Sequence, residues 1–446
     1  MRNPPLYCLI ASSLAGLLLL LGALAAQGPG AAAVASQGGA RSPSPDPGLA
    51  DTASFLHPGF LDPDCDPDLL PPWSAIRCRF ARFLEGRRLF DDEHFGGNGR
   101  TCETCHSGRD GTIDPDEVAL RLWLDPDDEL FTHDGLDDFT SGTSRLEAHA
   151  TILVRRELPP WVQLTHDPAA TSVVLARGVP STVNTPALDP ALMYDLRDHT
   201  LEGQALGAIE GHALNTVPPT ELELELIAEF QQTGRRFFSS EALRRFARGG
   251  PAPRLPLGRT ASEQRGREFF VDAPWDPPSK KGLCAFCHSG PMLNTANEFV
   301  ELPTGAPPGF RAFDIGVSTR NVLNNPVVSY DVTDFCGTTL TVESSDPGIM
   351  LTGPYDILPE LVALLPPEQF CILHRAFFVN MHKTPQLWGV ADTAPYFHDN
   401  SAKTLEEVLE QYNFMFESNV GFPITDSNVE LTEQDIEDIV AFLRLL

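Results

Sequence analysis

Basic residues are scarce in this chain. Its 446 residues carry 32 Lys and Arg against 61 Asp and Glu, a formal charge of −29. That deficit argues against binding nucleic acid, which needs basic surface, and against docking on anionic lipid. Long apolar runs are lacking too: beyond the first 26 residues, no stretch is long enough to span a bilayer. Cysteine numbers only nine, and the spacing of those nine carries most of the chemistry.

The chain opens MRNPPLYCLIASSLAGLLLLLGALAAQG. One early Arg, an apolar run and Ala23-Leu24-Ala25 before Ala26-Gln27 make residues 1–26 an expected signal peptide. The alternative is an uncleaved anchor, which is the only expected contact with a membrane; either way the remainder is exported, to a periplasm or its equivalent. Residues 27–55 are rich in Gly, Ala, Ser and Pro and read as a flexible leader. Forty prolines and 35 glycines imply many turns and long loops. An arginine-rich stretch, 235–267, departs from the acidic trend; it suits either carboxylate partners or an exposed helix face.

Two short stretches match: TCETCHSG at 101–108 and CAFCHSG at 284–290. Cys102, Cys105 and His106 in the first correspond to Cys284, Cys287 and His288 in the second. C-x-x-C-H is the attachment signature of c-type haem. The spacing sets both thiols on one side of a helical turn for thioether bonds, and the next residue offers an imidazole to the iron. A redox dithiol would not need the His. A structural zinc site needs four ligands, and each motif offers three at most. Of the other cysteines, Cys8 leaves with the signal. Cys65, Cys78, Cys336 and Cys371 can form two disulfides; proximity suggests Cys65–Cys78 and Cys336–Cys371, although sequence leaves the connectivity open.

The flanks repeat as well. Gly86-Arg87-Arg88-Leu89-Phe90 precedes the first motif, and Arg265-Gly266-Arg267-Glu268-Phe269-Phe270 the second. Each reads as a short amphipathic helix leading into a haem site. The fold class expected is therefore mainly α: two cytochrome c-like haem domains with long irregular loops. The N-terminal domain is expected over 56–255, with an acidic insert at 109–170, and the C-terminal domain over 256–446. Thr404 and Glu407 fit a capping box, so a helix starts near 405 and places Leu405, Val408, Leu409 and Tyr412 on one face. The tail, LTEQDIEDIVAFLRLL, is another capped amphipathic helix.

Several stretches, in order, resemble the bacterial dihaem cytochrome c peroxidases and MauG: GRRLFDD, the first haem motif, NTPALDPALMYDLRDHTLEGQALG, the second motif, and KTPQLWGVADTAPYFHDNSAKTLEEVLEQYN. The resemblance runs from about 80 to 446. It implies two covalent haems, hydrogen peroxide as oxidant, and a redox protein donor or protein substrate. It also implies that the residue fourteen after the His of YFHD is the distal ligand of the C-terminal haem. The peroxidases have Met there and MauG has Tyr; this chain has Tyr412. A phenolate ligand favours higher iron oxidation states. The resemblance further implies one calcium ion, held by the Asn184 side chain and the carbonyls of Thr393 and Pro395.

The chain departs from that family at two places. The family's Phe-Trp-Asp-Gly-Arg becomes Met193-Tyr194-Asp195-Leu196-Arg197, so Tyr194 replaces the inter-haem Trp. The family's distal Gln corresponds to Gln204, but the acid–base Glu ten residues later is Leu214 here. Glu210 and His212 stand near enough to substitute; His212 could equally ligate the first iron and close the site. The insert's acidic stretches, RDGTIDPDEV and FTHDGLDDF, read as solvated loops, and His133 is given no role. The reading is a peroxide-dependent dihaem oxidoreductase, with Gln204, Arg197, Tyr194 and His212 as candidate catalytic residues. Its rivals are a dihaem electron carrier without peroxidase activity and a dihaem oxygenase.

Overall fold

The computed structural model describes residues 62–446 except 109, 134–135, 137–142, 275–278, 298, 300–308, 321–324, 335, 353–377 and 419–428. The expected signal peptide, the leader, FTHDGLDDF for the most part, and Cys371 lie outside the described residues. No helix among the described residues is long and apolar enough to cross a membrane. The chain divides into two compact units, one of Met1–Arg82 with Pro303–Gly305 and one of Phe83–Leu302 with Ala306–Leu446. Within the described part of the first, Cys65 and Cys78 form a disulfide, as their proximity suggested. Cys336, in the second unit, is also disulfide-bonded.

The described residues hold twelve α-helices: α1 (Pro72–Asp91), α2 (Cys102–Cys105), α3 (Pro115–Leu124), α4 (Ser144–His149), α5 (Thr185–Leu188), α6 (Leu201–His212), α7 (Glu221–Thr233), α8 (Glu241–Phe246), α9 (Ala261–Glu268), α10 (Val317–Arg320), α11 (Leu405–Ser418) and α12 (Glu433–Leu443). Seven short strands accompany them: β1 (Thr151–Glu157), β2 (Val162–Leu164), β3 (Ser172–Gly178), β4 (Ala312–Phe313), β5 (Val328–Thr333), β6 (Thr339–Ser344) and β7 (His382–Lys383). Helix starts follow local chemistry. Thr220, Thr260, Thr404 and Thr432 each accept from the backbone N–H three residues on, and the acid there reaches back, satisfying donors that a helix leaves orphaned.

A helix-pair repeat underlies the larger unit. Gly86 on α1 lies so close to α7 that a Cβ would meet the Leu226 carbonyl oxygen at 2.2 Å and Phe230 Cβ at 3.0 Å. Gly266 on α9 meets α12 the same way, at Asp438 O (1.9 Å) and Phe442 Cβ (2.8 Å). Four residues after each glycine, a Phe packs on the partner's Phe: Phe90 on Phe230 at 5.7 Å, Phe270 on Phe442 at 5.3 Å. Only glycine admits backbones this close. The matching flanks seen in the sequence are thus matching helix crossings, each roofing one C-x-x-C-H motif.

The strands were not anticipated. β1 pairs antiparallel with β3 over seven residues, and β2, β5 and β6 form a second sheet in that order. The insert is correspondingly more ordered than expected. Asp114, read as part of a solvated loop, accepts from Glu117 N at 2.8 Å and caps α3, while β1 and β2 complete the insert. Its signal was the β-branched run in TILVRRE, which suits a half-buried strand.

The sheet residue Arg177, 2% exposed, bonds Asp346 twice (2.7 and 2.8 Å) and Asp195 once (2.8 Å). Arg156 and Arg197 also pair with Asp195, at 2.9 and 2.8 Å. Burial by itself would raise the Asp195 pKa, but the three guanidiniums outweigh it and hold the carboxylate below its ordinary range. Removing the central cation would leave two buried carboxylates without their main partner. Arg177→Met is expected to cost about 3–5 kcal/mol. Urea unfolding followed by far-UV circular dichroism checks this, and a loss below about 1 kcal/mol would show that the network is not needed.

Candidate functional site

The two motifs fold alike. Cys102 and Cys105 bracket α2, and His106 follows with its N–H on the Cys102 carbonyl. Cys284 starts a 3-10 turn ending at Phe286, and His288 donates to the Cys284 carbonyl at 2.9 Å. The imidazoles are oriented identically. His106 Nδ1 bonds the Gly111 carbonyl and His288 Nδ1 the Leu293 carbonyl, both at 2.8 Å and both five residues on. A ring N–H held by a carbonyl leaves the lone pair on Nε2, the nitrogen suited to ligate a metal.

The thiols support attachment over redox exchange. Cys102, Cys105, Cys284 and Cys287 form no disulfide, although this chain forms disulfides elsewhere. Burial pushes the thiols of Cys102 and Cys284 up to about 12. Catalytic dithiols are instead exposed and acidified.

In the second motif, His288 Nε2 faces the Tyr412 hydroxyl at 3.2 Å. Tyr412 is on α11, whose start is fixed by the expected Thr404–Glu407 capping box. Burial lowers the His288 pKa to about 4 and raises that of Tyr412, so both are neutral at pH 7 in the protein alone. They line a cavity of about 280 Å³ together with Cys284, Cys287, Phe270 and Leu409. The same cavity is lined by Thr112, beside the Gly111 that holds His106, and by Tyr194, so one hollow reaches both motif loops. Its wall is largely apolar, with a neutral His and Tyr opposed inside: a donor set that fits haem iron.

The other candidates fall as follows. Tyr194 borders the cavity, its ring edge-on to His398 at 6.4 Å. Arg197 is tied to Asp195 and, at 3.5 Å, to Asp198. Gln204 and His212 share α6, both half-buried, and the His212 carbonyl accepts from Asn98 Nδ2 at 2.9 Å, just before the first motif. Leu214 is in the left-handed region (φ 48°) and 45% exposed, and Glu210 is exposed. Asn184 is fully buried beside the 388–395 turn, its Nδ2 donating to the Trp388 carbonyl (2.8 Å) and its Oδ1 accepting from Ser239 N (3.0 Å). A cation there would share or displace the Ser239 bond. Thr393 and Pro395 line the cavity. Of the arginine cluster, Arg236 lies over the rings of Phe90, Phe230 and Phe237 and pairs with Asp91 at 2.6 Å, and Arg265 pairs with Asp438 at 2.6 Å.

Sequence reasoning missed a buried group at the cavity wall. Asp346, His382 and His398 bring ligand-type atoms within 4.8 Å of one another. The imidazoles stack at 3.7 Å and 6°. Asp346 is also held by Arg177, so the three side chains join the buried ionic network. Two further carboxyls face it: burial pushes Asp314 and Asp399 up to about 6, with His382 opposing the rise in each. No local pattern marks these residues, which come from β7, the turns flanking it and the 346 loop.

No family model matches the chain, and no curated protein matches it. Among solved structures it is similar to a MauG-like protein associated with microbial copper homeostasis, at 18% identity over 82% of this chain and 88% of that one, TM-score 0.43. It is similar to the dihaem peroxidase BthA from Burkholderia thailandensis E264, at 16% identity over 81% and 85%, TM-score 0.43. Hydrazine synthase of Kuenenia stuttgartiensis is a third, at 14% identity over 92% and 100%, TM-score 0.41. At these scores the likenesses are weak, and the geometry of the two motifs carries more.

Two outcomes are expected. Replacing Cys284 and Cys287 by Ser leaves haem-stained protein on a denaturing gel, held by the first motif; replacing all four cysteines abolishes the stain. A stain that vanishes with the first pair alone would refute two attachment sites. Asp314 binds a proton more tightly folded than unfolded, so its contribution is full below about pH 4 and is lost as pH rises through 6. Asp314→Asn should therefore raise stability at pH 7 by on the order of 2 kcal/mol and flatten the fall between pH 4 and 6.5. Thermal melts across that range test it, and an unchanged slope refutes it.

Proposed function

We propose that the chain is an exported dihaem c-type oxidoreductase of the peroxidase/MauG kind, using hydrogen peroxide to oxidise a protein or small redox partner. The observation that carries this reading is the duplicated motif geometry: two thiols outside any disulfide beside a His whose Nδ1 is held by the carbonyl five residues on. Cys102, Cys105 and His106 hold one haem c; Cys284, Cys287, His288 and Tyr412 hold the other. Bound haem supplies the peroxide chemistry and the storage of oxidising equivalents.

The chain's own residues then have distinct tasks. The Gly111 and Leu293 carbonyls fix the tautomer and aim of each His. Tyr412 faces His288 across the cavity, and its buried phenol ionises only beside a cation. Gln204 and His212, on α6, are the polar groups offered for the first site, with His212 taking the proton-moving part of the family's missing Glu. Tyr194, edge-on to His398 at the cavity wall, relays electrons between the sites. Arg197 acts through Asp195, which it helps to hold. Asn184 Oδ1 and the carbonyls of Thr393 and Pro395 are the ligands for one calcium ion.

The place of His212, its carbonyl bonded by Asn98 four residues before the first motif's Cys102, favours a second reading, a dihaem electron carrier in which His212 closes the first site. Reactivity of the ferrous protein with carbon monoxide separates the two, since a closed iron binds it poorly.

Titration of the diferric protein with one equivalent of hydrogen peroxide tests the main reading. A fast Soret and near-infrared change is expected, long-lived in wild type and shortened at least tenfold in Tyr412→Phe. No spectral change, either at rest or after reduction of one haem, would exclude peroxidase function.

A further inference from the structure

The two attachment turns differ in one fixed charge. Arg236 follows α7 and reaches α2, where its guanidinium pairs with Glu103 at 3.1 Å. Glu103 stands inside the first motif, next to Cys102. The same guanidinium donates to Asp91 at 2.6 Å and lies over the rings of Phe90, Phe230 and Phe237, at 4.9, 4.9 and 5.0 Å from their centroids. Phe90 in turn is 6.4 Å from the His106 ring. Three aromatic faces and two carboxylates hold the cation in place.

This charge is permanent, because a guanidinium does not deprotonate in proteins. It is also balanced. Asp91 is bonded by Arg87 at 3.0 Å as well, so Arg87, Arg236, Asp91 and Glu103 cancel as a group. Loss of Arg236 would leave one carboxylate uncompensated beside Cys102. The field of the arginine reaches the motif: burial raises the Cys102 thiol and the Glu103 carboxyl, and Arg236 opposes both rises.

The second motif has no such partner among the described residues. Burial raises the Cys284 thiol with no charge opposing it. In the helix crossing above that motif, the basic residue that follows α12, Arg444, is exposed and pairs with Glu406 on α11 at 3.3 Å.

We propose that Arg236 sets the reduction potential of the haem on the first motif, favouring its ferrous state, so that the first electron to enter the protein settles there and not on the Tyr412 side. The inference rests on the dihaem reading. Ferric haem carries one more positive charge than ferrous haem, so a fixed cation close by disfavours oxidation. In a partly buried site that repulsion is screened less than in water. At the other centre a phenolate ligand acts in the opposite sense and favours ferric iron. Reduction adds one electron to the first iron and breaks no bond.

The test is a spectroelectrochemical titration of the diferric holo-protein at pH 8, with dithionite as reductant and electron paramagnetic resonance assigning each wave to its haem. In wild type the first-motif haem is expected to reduce first. Arg236→Met is expected to shift the ferric–ferrous equilibrium of that haem at least tenfold toward ferric, a fall of about 59 mV for one electron, and to leave the other haem in place. Glu103→Gln should move the same wave upward, and Arg236→Lys should hold it near wild type. Prior reduction of the Tyr412-side haem in wild type, an unmoved wave in Arg236→Met, or equal shifts of both haems would each overturn the proposal. So would Arg236→Lys shifting as far as Arg236→Met, since that would mark a packing role. Where Arg236→Met takes up haem poorly, Glu103→Gln decides alone, and an unmoved or lowered wave overturns the proposal. A wild type without two stained haems would sink the dihaem reading and this proposal together; two haems whose waves the variants leave in place would sink this proposal only.

Discussion

The pairing of Arg177 with Asp195 and Asp346 is the constraint on which the rest of the larger unit depends. The two carboxylates come from segments far apart in the chain; Asp346 is 169 residues beyond the arginine. Desolvating such charges is expensive unless each is matched and hydrogen-bonded. Here the match is met by a fully buried guanidinium on β3, with Arg156 from β1 and Arg197 adding to Asp195. The carboxylates in turn locate the neighbouring turn of Tyr194 and the stacked His382 and His398. The cavity wall is thus built on an ionic node, and the apolar surface left inside it suits a large flat ligand.

Around this node the molecule uses one device twice. A glycine lets a leading helix touch a later one, a Phe one turn on seals the crossing, and a C-x-x-C-H turn follows beneath. The halves differ on the side opposite the His. In the C-terminal half, α11 brings a phenol to the imidazole. In the N-terminal half, α6 packs in one apolar cluster with Phe90 and Cys102 and carries Gln204 and His212, with Leu214 beyond its end turned to solvent. Two like C-x-x-C-H turns thus sit in unlike surroundings.

Much of this was legible in the sequence, for local reasons. The capping boxes at Thr404 and Thr432 and the Cys65–Cys78 bridge each involve residues close along the chain. The strands are less legible, since each is short and pairs with residues distant in the chain, although TILVRRE and SVVLARG hold a β-branched signal. RDGTIDPDEV reads as a solvated acidic loop, yet Asp114 at the N-cap followed by Pro115 at the first helical position starts helix α3 there. The Asp346–His382–His398 cluster had no signal, since its members share no local pattern.

The sequence by itself determined the attachment turns. Two thiols three apart and an adjacent His take their geometry from a single turn, through bonded geometry and short hydrogen bonds. Only the tertiary structure decided what each imidazole faces. Tyr412 is 124 residues from His288, and the His212 carbonyl, at the far end of another helix, meets Asn98 just before the first motif. Such meetings are set by how helices cross and where charges must be buried together, and neither leaves a mark in residue spacing.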